Sequence, residues 1–293
     1  MSGAQALAGG DGAGPADGPA LPGGAGPAST HRWGPAPRQV AELHLPAERR
    51  TDGVVVLVHG GFWRPGAADG SLAYDRRLED HVAADLLALG APVWLVDYRA
   101  VGDGGGWPAT LEDAAAALDL LVDAAPTAGL DPARAVVVGH SAGGHLAAWS
   151  ASRARLPAGA PGAGPALRPL AVVSQAGVLD LAAAAGADLG RGAAAELLGG
   201  APRAVPERYA AASPAALVPT GVPVLCVTGE LDDVVPPDQA ERYAAAARAA
   251  GDDVRVELVP GEDHSAHLDP RSRCWALARE EALARLGVAP LAT

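Results

Sequence analysis

The chain has 293 residues, of which 49% are hydrophobic, and its formal net charge is -12. This length and hydrophobic fraction are typical of one large α/β domain with a substantial core. The negative charge, without any run of basic residues, argues against nucleic acid and anionic membrane surfaces as partners. No apolar stretch is long enough to span a bilayer, and the first residues lack the layout of a secretory signal.

Several residue types are missing, and their absence excludes whole classes of chemistry. All 22 basic residues are arginine, which excludes a Schiff-base lysine, a pyridoxal-phosphate anchor and a P-loop lysine. Without asparagine, both N-glycosylation and a Cys-His-Asn protease are excluded. Cys226 and Cys274 lie far apart in the sequence, and the strand-like surroundings of Cys226 favour a buried free thiol over a disulfide. We therefore expect a cytoplasmic protein.

The order of predicted elements indicates an α/β fold. Residues 1–38 are rich in Gly, Ala and Pro, so we expect them to be disordered, with one domain over residues 39–288. Alternating strands and helices predict a mostly parallel sheet with helices on both faces. Strands are predicted at 39–45 (an edge strand), 54–58, 93–96, 135–138, 170–175, 222–228 and 253–259. Helices are predicted at 74–89, 110–124 with Thr110 as the cap, from 144, and at 237–249 and 270–286.

An insertion between two predicted strands suits a small cap over a binding site. Residues 178–218 contain two short Ala-rich helical segments, at 193–198 and 206–212. Because the insertion follows a strand at the edge where ligands bind in parallel sheets, it could influence substrate choice.

The loop His59-Gly60-Gly61-Phe62-Trp63 follows the predicted strand at 54–58. Ligand sites lie at the carboxyl ends of parallel strands, and two glycines let backbone N–H groups approach a ligand oxygen. We interpret Gly61 and Phe62 as half of an oxyanion hole, although an ordinary glycine turn would have the same composition. Phe62 and Trp63 are candidates for the floor of a substrate pocket, and Trp107 for a wall, but aromatic residues at such places are often simply core.

Gly139-His140-Ser141-Ala142-Gly143 fits the pattern G-x-S-x-G between a buried strand and a helix. A strand that turns sharply into a helix holds its corner serine in a strained conformation that exposes the hydroxyl. The same turn puts the N–H of Ala142 at a helix N-terminus, where negative charge is stabilised. We therefore predict Ser141 as a nucleophile and Ala142 as an oxyanion donor.

A serine nucleophile needs a histidine to take its proton and a carboxylate to orient that histidine. Asp232 follows the predicted strand at 222–228 and is favoured over its neighbour Asp233. His264 follows the last predicted strand at the shorter distance and is favoured over His267. The order Ser, Asp, His is that of α/β-hydrolases. No grouping of carboxylates and histidines has a convincing metal spacing, and we expect neither a metal nor a cofactor.

The HGGFW and GHSAGGHLA strings, with the loops of Asp232 and His264, resemble the α/β-hydrolase superfamily over about residues 39–286. Within it they are similar to the HGGxW branch, which holds kynurenine formamidase-like hydrolases and small esterases. The resemblance implies an α/β-hydrolase fold, a Ser141-His264-Asp232 triad, an oxyanion hole at Gly61, Phe62 and Ala142, and no cofactor. Kynurenine formamidases usually carry an aromatic residue after the histidine, where this chain has Ser265.

We therefore expect a serine hydrolase that cleaves a small carboxylic ester or amide through an acyl-enzyme. The alternatives are an arylformamidase acting on N-formylkynurenine, a peptidase, and a non-catalytic ligand-binding protein on the same scaffold. The expected partner is a small-molecule ester or amide, and a homodimer stays open as an assembly.

Overall fold

The computed structural model describes residue 21 and residues 26–289. Its strands are β1 Ser29–Arg32, β2 Val40–His44, β3 Val54–Val58, β4 Val93–Val96, β5 Ala135–His140, β6 Ala171–Gln175, β7 Val224–Gly229 and β8 Val254–Val259. Its α-helices are α1 Asp80–Ala88, α2 Ala109–Thr127, α3 Ala142–Ser152, α4 Leu181–Gly186, α5 Ala193–Leu198, α6 Pro206–Ala212, α7 Asp238–Ala249 and α8 Arg273–Arg285. Short 3-10 helices lie at Arg76–Glu79, Pro132–Arg134, Arg153–Arg155, Pro214–Ala216 and His264–Leu268.

Within the described residues, the strands form one eight-stranded sheet in the order β1-β2-β4-β3-β5-β6-β7-β8. Strand β2 runs antiparallel to both of its neighbours, and the strands from β4 to β8 run parallel. The carboxyl ends of the parallel strands therefore meet at one edge of the sheet, which is where such folds bind ligands. The prediction of a mostly parallel sheet with helices on both faces is confirmed.

The core has one layer on each face of the sheet. Helices α1 and α8 cover one face, and α2, α3 and α7 cover the other. All five residues of β3 and all six of β5 are buried, which explains why these strands read as continuous apolar runs rather than alternating ones. Helices α4, α5 and α6 lie between β6 and β7 in the chain and add Leu181, Leu197 and Tyr209 to the second layer.

The N-terminal part differs from the predicted disorder over residues 1–38. Residues 1–20 and 22–25 lie outside the described part, but Ser29–Arg32 forms β1, and Leu21 is buried against the α8 face. Strand β1 forms because β2, predicted as an edge strand, offers it an unpaired row of backbone groups. Such pairing depends on a partner strand and leaves no mark on the composition of the segment.

Two predicted helix starts are wrong. The segment expected to begin a helix at residue 74 instead forms the 3-10 helix Arg76–Glu79, capped by the side chain of Asp75, before α1 begins. Thr110 does not cap α2, which begins one residue earlier. Its hydroxyl instead donates to Arg99 O at 2.6 Å and accepts from Gly106 N at 2.9 Å, so it holds the preceding loop.

Candidate active site

Ser141 sits at the corner between β5 and α3, in a conformation that non-glycine residues rarely adopt. Its φ is 57° and its ψ is -117°, and its backbone N–H donates to Gln175 O on the neighbouring strand at 2.8 Å. A positive φ in a residue with a Cβ costs free energy and persists only where the surroundings enforce it. The corner predicted from the sequence is therefore present, and its backbone is held by β6. The residue is nevertheless only 3% exposed, contrary to the expected exposure of its hydroxyl, because the loop after β3 packs against it.

Close packing of the backbone enforces this corner. A Cβ at Gly143 would overlap the carbonyl oxygen of Val58 at the end of β3, and a Cβ at Gly139 would overlap the carbonyl of Gly143. Only glycine permits these approaches, because every other residue carries a Cβ. The two glycines of the motif thus let α3 start directly against the end of the sheet.

His264 and Asp232, 32 positions apart in the chain, form a hydrogen-bonded pair. The Nδ1 of His264 lies 2.8 Å from Oδ2 of Asp232. The other carboxylate oxygen of Asp232 accepts from the backbone N–H groups of Val234 at 3.0 Å and Val235 at 2.8 Å. These bonds fix the carboxylate, which is fully buried, so that it accepts a hydrogen bond from Nδ1–H of His264 and leaves Nε2 as the nitrogen with a free lone pair. Its neighbour Asp233 is exposed.

The imidazole of His264 lies beside the residue that precedes Ser141. Its ring centroid is 4.6 Å from that of His140, and the His264 side chain is 16% exposed. Among the hydrogen bonds of the described residues, none joins Ser141 Oγ to Nε2 of His264. Asp232 and His264 are thus joined by a hydrogen bond, whereas Ser141 and His264 lie near each other without one.

Two further histidines near His264 are buried and neutral. Burial, followed by the proximity of His264 and His267, holds the pKa of His140 well below its ordinary value. Burial, followed by the proximity of His264, lowers the pKa of His267 to about 4. His264 is the partly exposed member of the three.

The loop His59-Gly60-Gly61-Phe62-Trp63, the glycine loop, follows β3 and lies against Ser141. A Cβ at Gly60 would be 3.1 Å from the Cβ of Ser141, so the two backbones approach as closely as a glycine allows. Within the described part of the chain, the backbone N–H groups of Gly61, Phe62 and Ala142 donate to no protein acceptor. These three backbone N–H groups are therefore free to bind an acceptor from outside the protein.

Trp63 anchors this loop to α3 and to α6. Its indole N–H donates to Nδ1 of His145 at 3.2 Å, and Nε2 of His145 donates to Ala212 O at 2.9 Å. Burial lowers the pKa of His145 to about 4, so the ring stays neutral and can accept at one nitrogen while donating at the other. No local pattern in the sequence identifies these partners of His145.

A small apolar pocket lies between the glycine loop, the insertion and the loop of Asp232. It has room for about one water molecule, about 10 Å³. It is lined by Phe62, Trp63, Val178, Ala184, Leu189, Ala193, Ala194, Val234 and Val235. Trp107 is not part of this lining. It packs against the core, and its backbone N–H donates to Leu197 O at 2.7 Å, because the loop after β4 folds onto α5.

The charged residues that follow β4 hold loops. Asp97 accepts from Arg38 at 3.2 Å and from Arg76 at 3.4 Å, and Arg99 pairs with Asp113 at 2.8 Å. The described residues contain no group of three or more His, Cys, Asp or Glu side chains that could hold a metal ion. They also include no helix both long and apolar enough to cross a membrane.

The sequence is similar to a known protein family and to a carboxylesterase. A model of the BD-FAE family matches residues 41–246. Carboxylesterase NlhH of Mycobacterium tuberculosis is 38% identical over 109 residues, which are 37% of this chain and 31% of that protein. The alignment thus spans less than a third of the length of that curated relative.

Two solved structures have a similar fold. A truncated carbohydrate esterase from gut microbiota has a TM-score of 0.71 and 20% identity, over 89% of this chain and 97% of that one. The thermophilic esterase Est2 of Thermogutta terrifontis, with propionate bound, has a TM-score of 0.66 and 23% identity, over 86% of this chain and 92% of that one. Together with the strand order, these likenesses confirm the predicted α/β-hydrolase fold.

Proposed function

The chain belongs to the BD-FAE family, and on that premise we propose that it is a serine hydrolase that cleaves small carboxylic esters through an acyl-enzyme. One observation carries the proposal: the His264–Asp232 pair lies at the same sheet edge as the strained Ser141. The similarity to a carboxylesterase and the fold shared with two esterases support the same reaction class.

In the proposed first step, Ser141 Oγ attacks the carbonyl carbon of the ester. Its proton passes to Nε2 of His264, and the carbonyl π electrons move onto the oxygen. The imidazolium is stabilised by Asp232, which already holds Nδ1 at 2.8 Å. Catalytic hydrogen bonds often tighten only in the complex with substrate, and we propose that Nε2 reaches Ser141 Oγ at that stage.

The oxyanion of the tetrahedral intermediate would accept from the N–H groups of Gly61, Phe62 and Ala142. Loss of one such donor typically lowers the rate by about 10²–10³. When the intermediate collapses, the bond to the leaving oxygen breaks and His264 returns the proton to the alcohol. Water then attacks the acyl-enzyme in the same way, releases the acid and restores Ser141.

We propose that residues 178–218 act as a small cap and that the apolar pocket beneath it receives the acyl group. The pocket is bounded by α4 and α5 from the insertion and by Phe62 and Trp63 from the glycine loop. Because the pocket as it stands has room for about one water molecule, we propose that the insertion shifts outward when the acyl group enters and that short acyl chains are favoured. Trp107 is proposed only as a second support of the cap, through its bond to Leu197 O.

A fluorophosphonate probe tests the nucleophile directly. Wild-type protein should be labelled at Ser141 and should hydrolyse p-nitrophenyl acetate, and Ser141→Ala should do neither. Ser150→Ala is the matched control, because Ser150 is buried like Ser141 but lies within α3, and its hydroxyl donates only to Ala147 O. A folded wild-type protein without labelling or turnover would refute the proposal and favour a non-catalytic binding protein.

The leaving group is tested separately. Hydrolysis of p-nitrophenyl esters without cleavage of peptide amides would exclude a peptidase. Faster turnover of N-formylkynurenine than of any short ester would instead indicate the arylformamidase alternative. The expected cytoplasmic location and the homodimer stay predictions.

A further inference from the structure

His59 lies directly before the glycine loop, and both of its ring nitrogens face oxygen atoms. Nδ1 is 2.7 Å from Gly60 O, and Nε2 is 3.1 Å from Oδ1 of Asp97. A neutral imidazole has one N–H and one lone pair, so either neutral tautomer would direct a lone pair at an oxygen. Because a carbonyl has no proton to give, the two contacts are both satisfied by an imidazolium, or by a neutral ring beside a protonated Asp97.

The surroundings of Asp97 assign the proton to His59. Besides His59, the carboxylate accepts from the backbone N–H of Tyr98 at 2.9 Å, from Arg38 at 3.2 Å and from Arg76 at 3.4 Å. Burial alone would raise the pKa of Asp97, but the hydrogen bond and charge of His59, with Arg38 and Tyr98, hold that pKa below its ordinary value. Asp97, with two arginines beside it, is therefore an anion that accepts from Nε2 of His59.

The position of His59 is fixed from both sides. Its ring stacks on the ring of Tyr98 with centroids 4.2 Å apart and an angle of 3° between the planes. The Tyr98 hydroxyl donates to the backbone carbonyl of His59 at 2.9 Å. Stacking on an aromatic face is favourable for a cation, and the buried ring cannot exchange its protein contacts for water.

We propose that His59, as an imidazolium, is a positioning residue that fixes and polarises the peptide unit between Gly60 and Gly61. The carbonyl of Gly60 and the N–H of Gly61 belong to that one unit. A charged donor on the carbonyl oxygen draws electron density from the amide nitrogen and makes its N–H a stronger donor. The inference rests on the proposed function, in which the N–H of Gly61 stabilises the oxyanion.

Kinetics of two variants measure this role. His59→Phe keeps a flat ring on Tyr98 but loses both hydrogen bonds, and kcat for p-nitrophenyl acetate should fall about 10²-fold, the size of a weakened oxyanion donor. KM should stay within about threefold, because the interaction strengthens only as the oxyanion forms. His59→Asn places a neutral amide N–H near the Nδ1 position and should recover part of the loss.

His44→Asn is the matched control. His44 is another buried histidine paired with a carboxylate, Glu42 at 3.4 Å, but it lies on β2, away from the glycine loop. The His44→Asn variant should be less stable than wild type but should keep the wild-type kcat. Equal losses of kcat in His44→Asn and His59→Phe, or a His59→Phe enzyme with wild-type kcat, would overturn the inference.

Nitrogen-15 NMR of ring-labelled histidine gives a readout that needs no turnover. At neutral pH the His59 signals, assigned by their loss in His59→Asn, should show both ring nitrogens protonated. A neutral ring would overturn the inference even if the enzyme is active. A wild-type protein without turnover or fluorophosphonate labelling would instead overturn the proposed function and, with it, the role of His59.

Discussion

His140 donates a hydrogen bond from Nε2 to the backbone carbonyl of His264, at 3.0 Å. Because His140 immediately precedes Ser141, this bond joins the end of β5, next to Ser141, to the 3-10 helix that carries His264. The two residues are 124 positions apart in the chain. The relative placement of Ser141 and His264 therefore depends on a side chain that takes no part in the proposed proton transfer.

Loss of this bond should slow catalysis without weakening substrate binding. We expect His140→Phe to lower kcat about 10-fold, the equivalent of about 1.4 kcal/mol and of one hydrogen bond, with KM little changed. His140→Gln, whose amide can donate to the same carbonyl, should recover most of the activity. Steady-state kinetics of both variants checks this, and a His140→Gln enzyme as slow as His140→Phe would contradict it.

Asp232→Asn should lower kcat far more than Asp233→Asn. Asp232→Asn presents an amide to Nδ1 of His264 and favours the wrong tautomer, so kcat should fall by up to about 10⁴ with the fold intact. Asp233→Asn should change kcat less than about threefold, because Asp233 is exposed. Circular dichroism and steady-state kinetics of both variants test the ranking, and the reverse order would make Asp233 the acid.

Glu79 should make stability depend on pH in a direction opposite to that of a typical ion-paired carboxylate. Burial, with a smaller contribution from Asp80, raises the pKa of Glu79 to about 8, and its Oε1 has no hydrogen-bond partner among the described residues. The folded protein thus keeps a proton that the unfolded chain releases above about pH 4.5. Stability from this group is present below that pH and is lost as the pH rises towards 8.

We expect Glu79→Gln, which is neutral at every pH, to be more stable than wild type at pH 8 and to differ little from it at pH 4.5. The gain should grow by up to about 1.4 kcal/mol per pH unit between those values. Urea unfolding at three pH values measures it. Glu48→Gln, at an exposed position, is the control and should show no such trend; a gain that is constant with pH would refute the assignment.

Enlarging the apolar pocket should shift the preference for acyl length. Leu189 lines the pocket from the insertion, and Leu189→Ala removes three carbons from its wall. The ratio of kcat/KM for p-nitrophenyl butyrate to that for the acetate should rise about 10-fold or more, since one methylene in a pocket is worth about 10–200-fold. Leu170→Ala, at an exposed position outside the pocket, is the control. An unchanged ratio in Leu189→Ala would place the acyl group elsewhere.

Local sequence predicted those features that depend on neighbours in the chain. The strands at β3 and β4 and the corner at Ser141 follow from short apolar runs and closely spaced glycines, because such segments have few alternative conformations. The pairing of His264 with Asp232 was also expected, since the loops after parallel strands meet at one edge. Strand β1 and the hydrogen bonds of Thr110 were not predicted, because both depend on partners outside their own segment.

The sequence by itself thus determined the class of fold, the strained corner at Ser141 and the meeting of Asp232 with His264. Only the tertiary structure decided how they are supported: His140 holds the carbonyl of His264, and His59 lies between Gly60 and Asp97. The physical reason is that the free energy of a buried polar side chain depends on its partners. Asp97 lies 38 positions from His59, and no periodicity or spacing in the chain records that they meet.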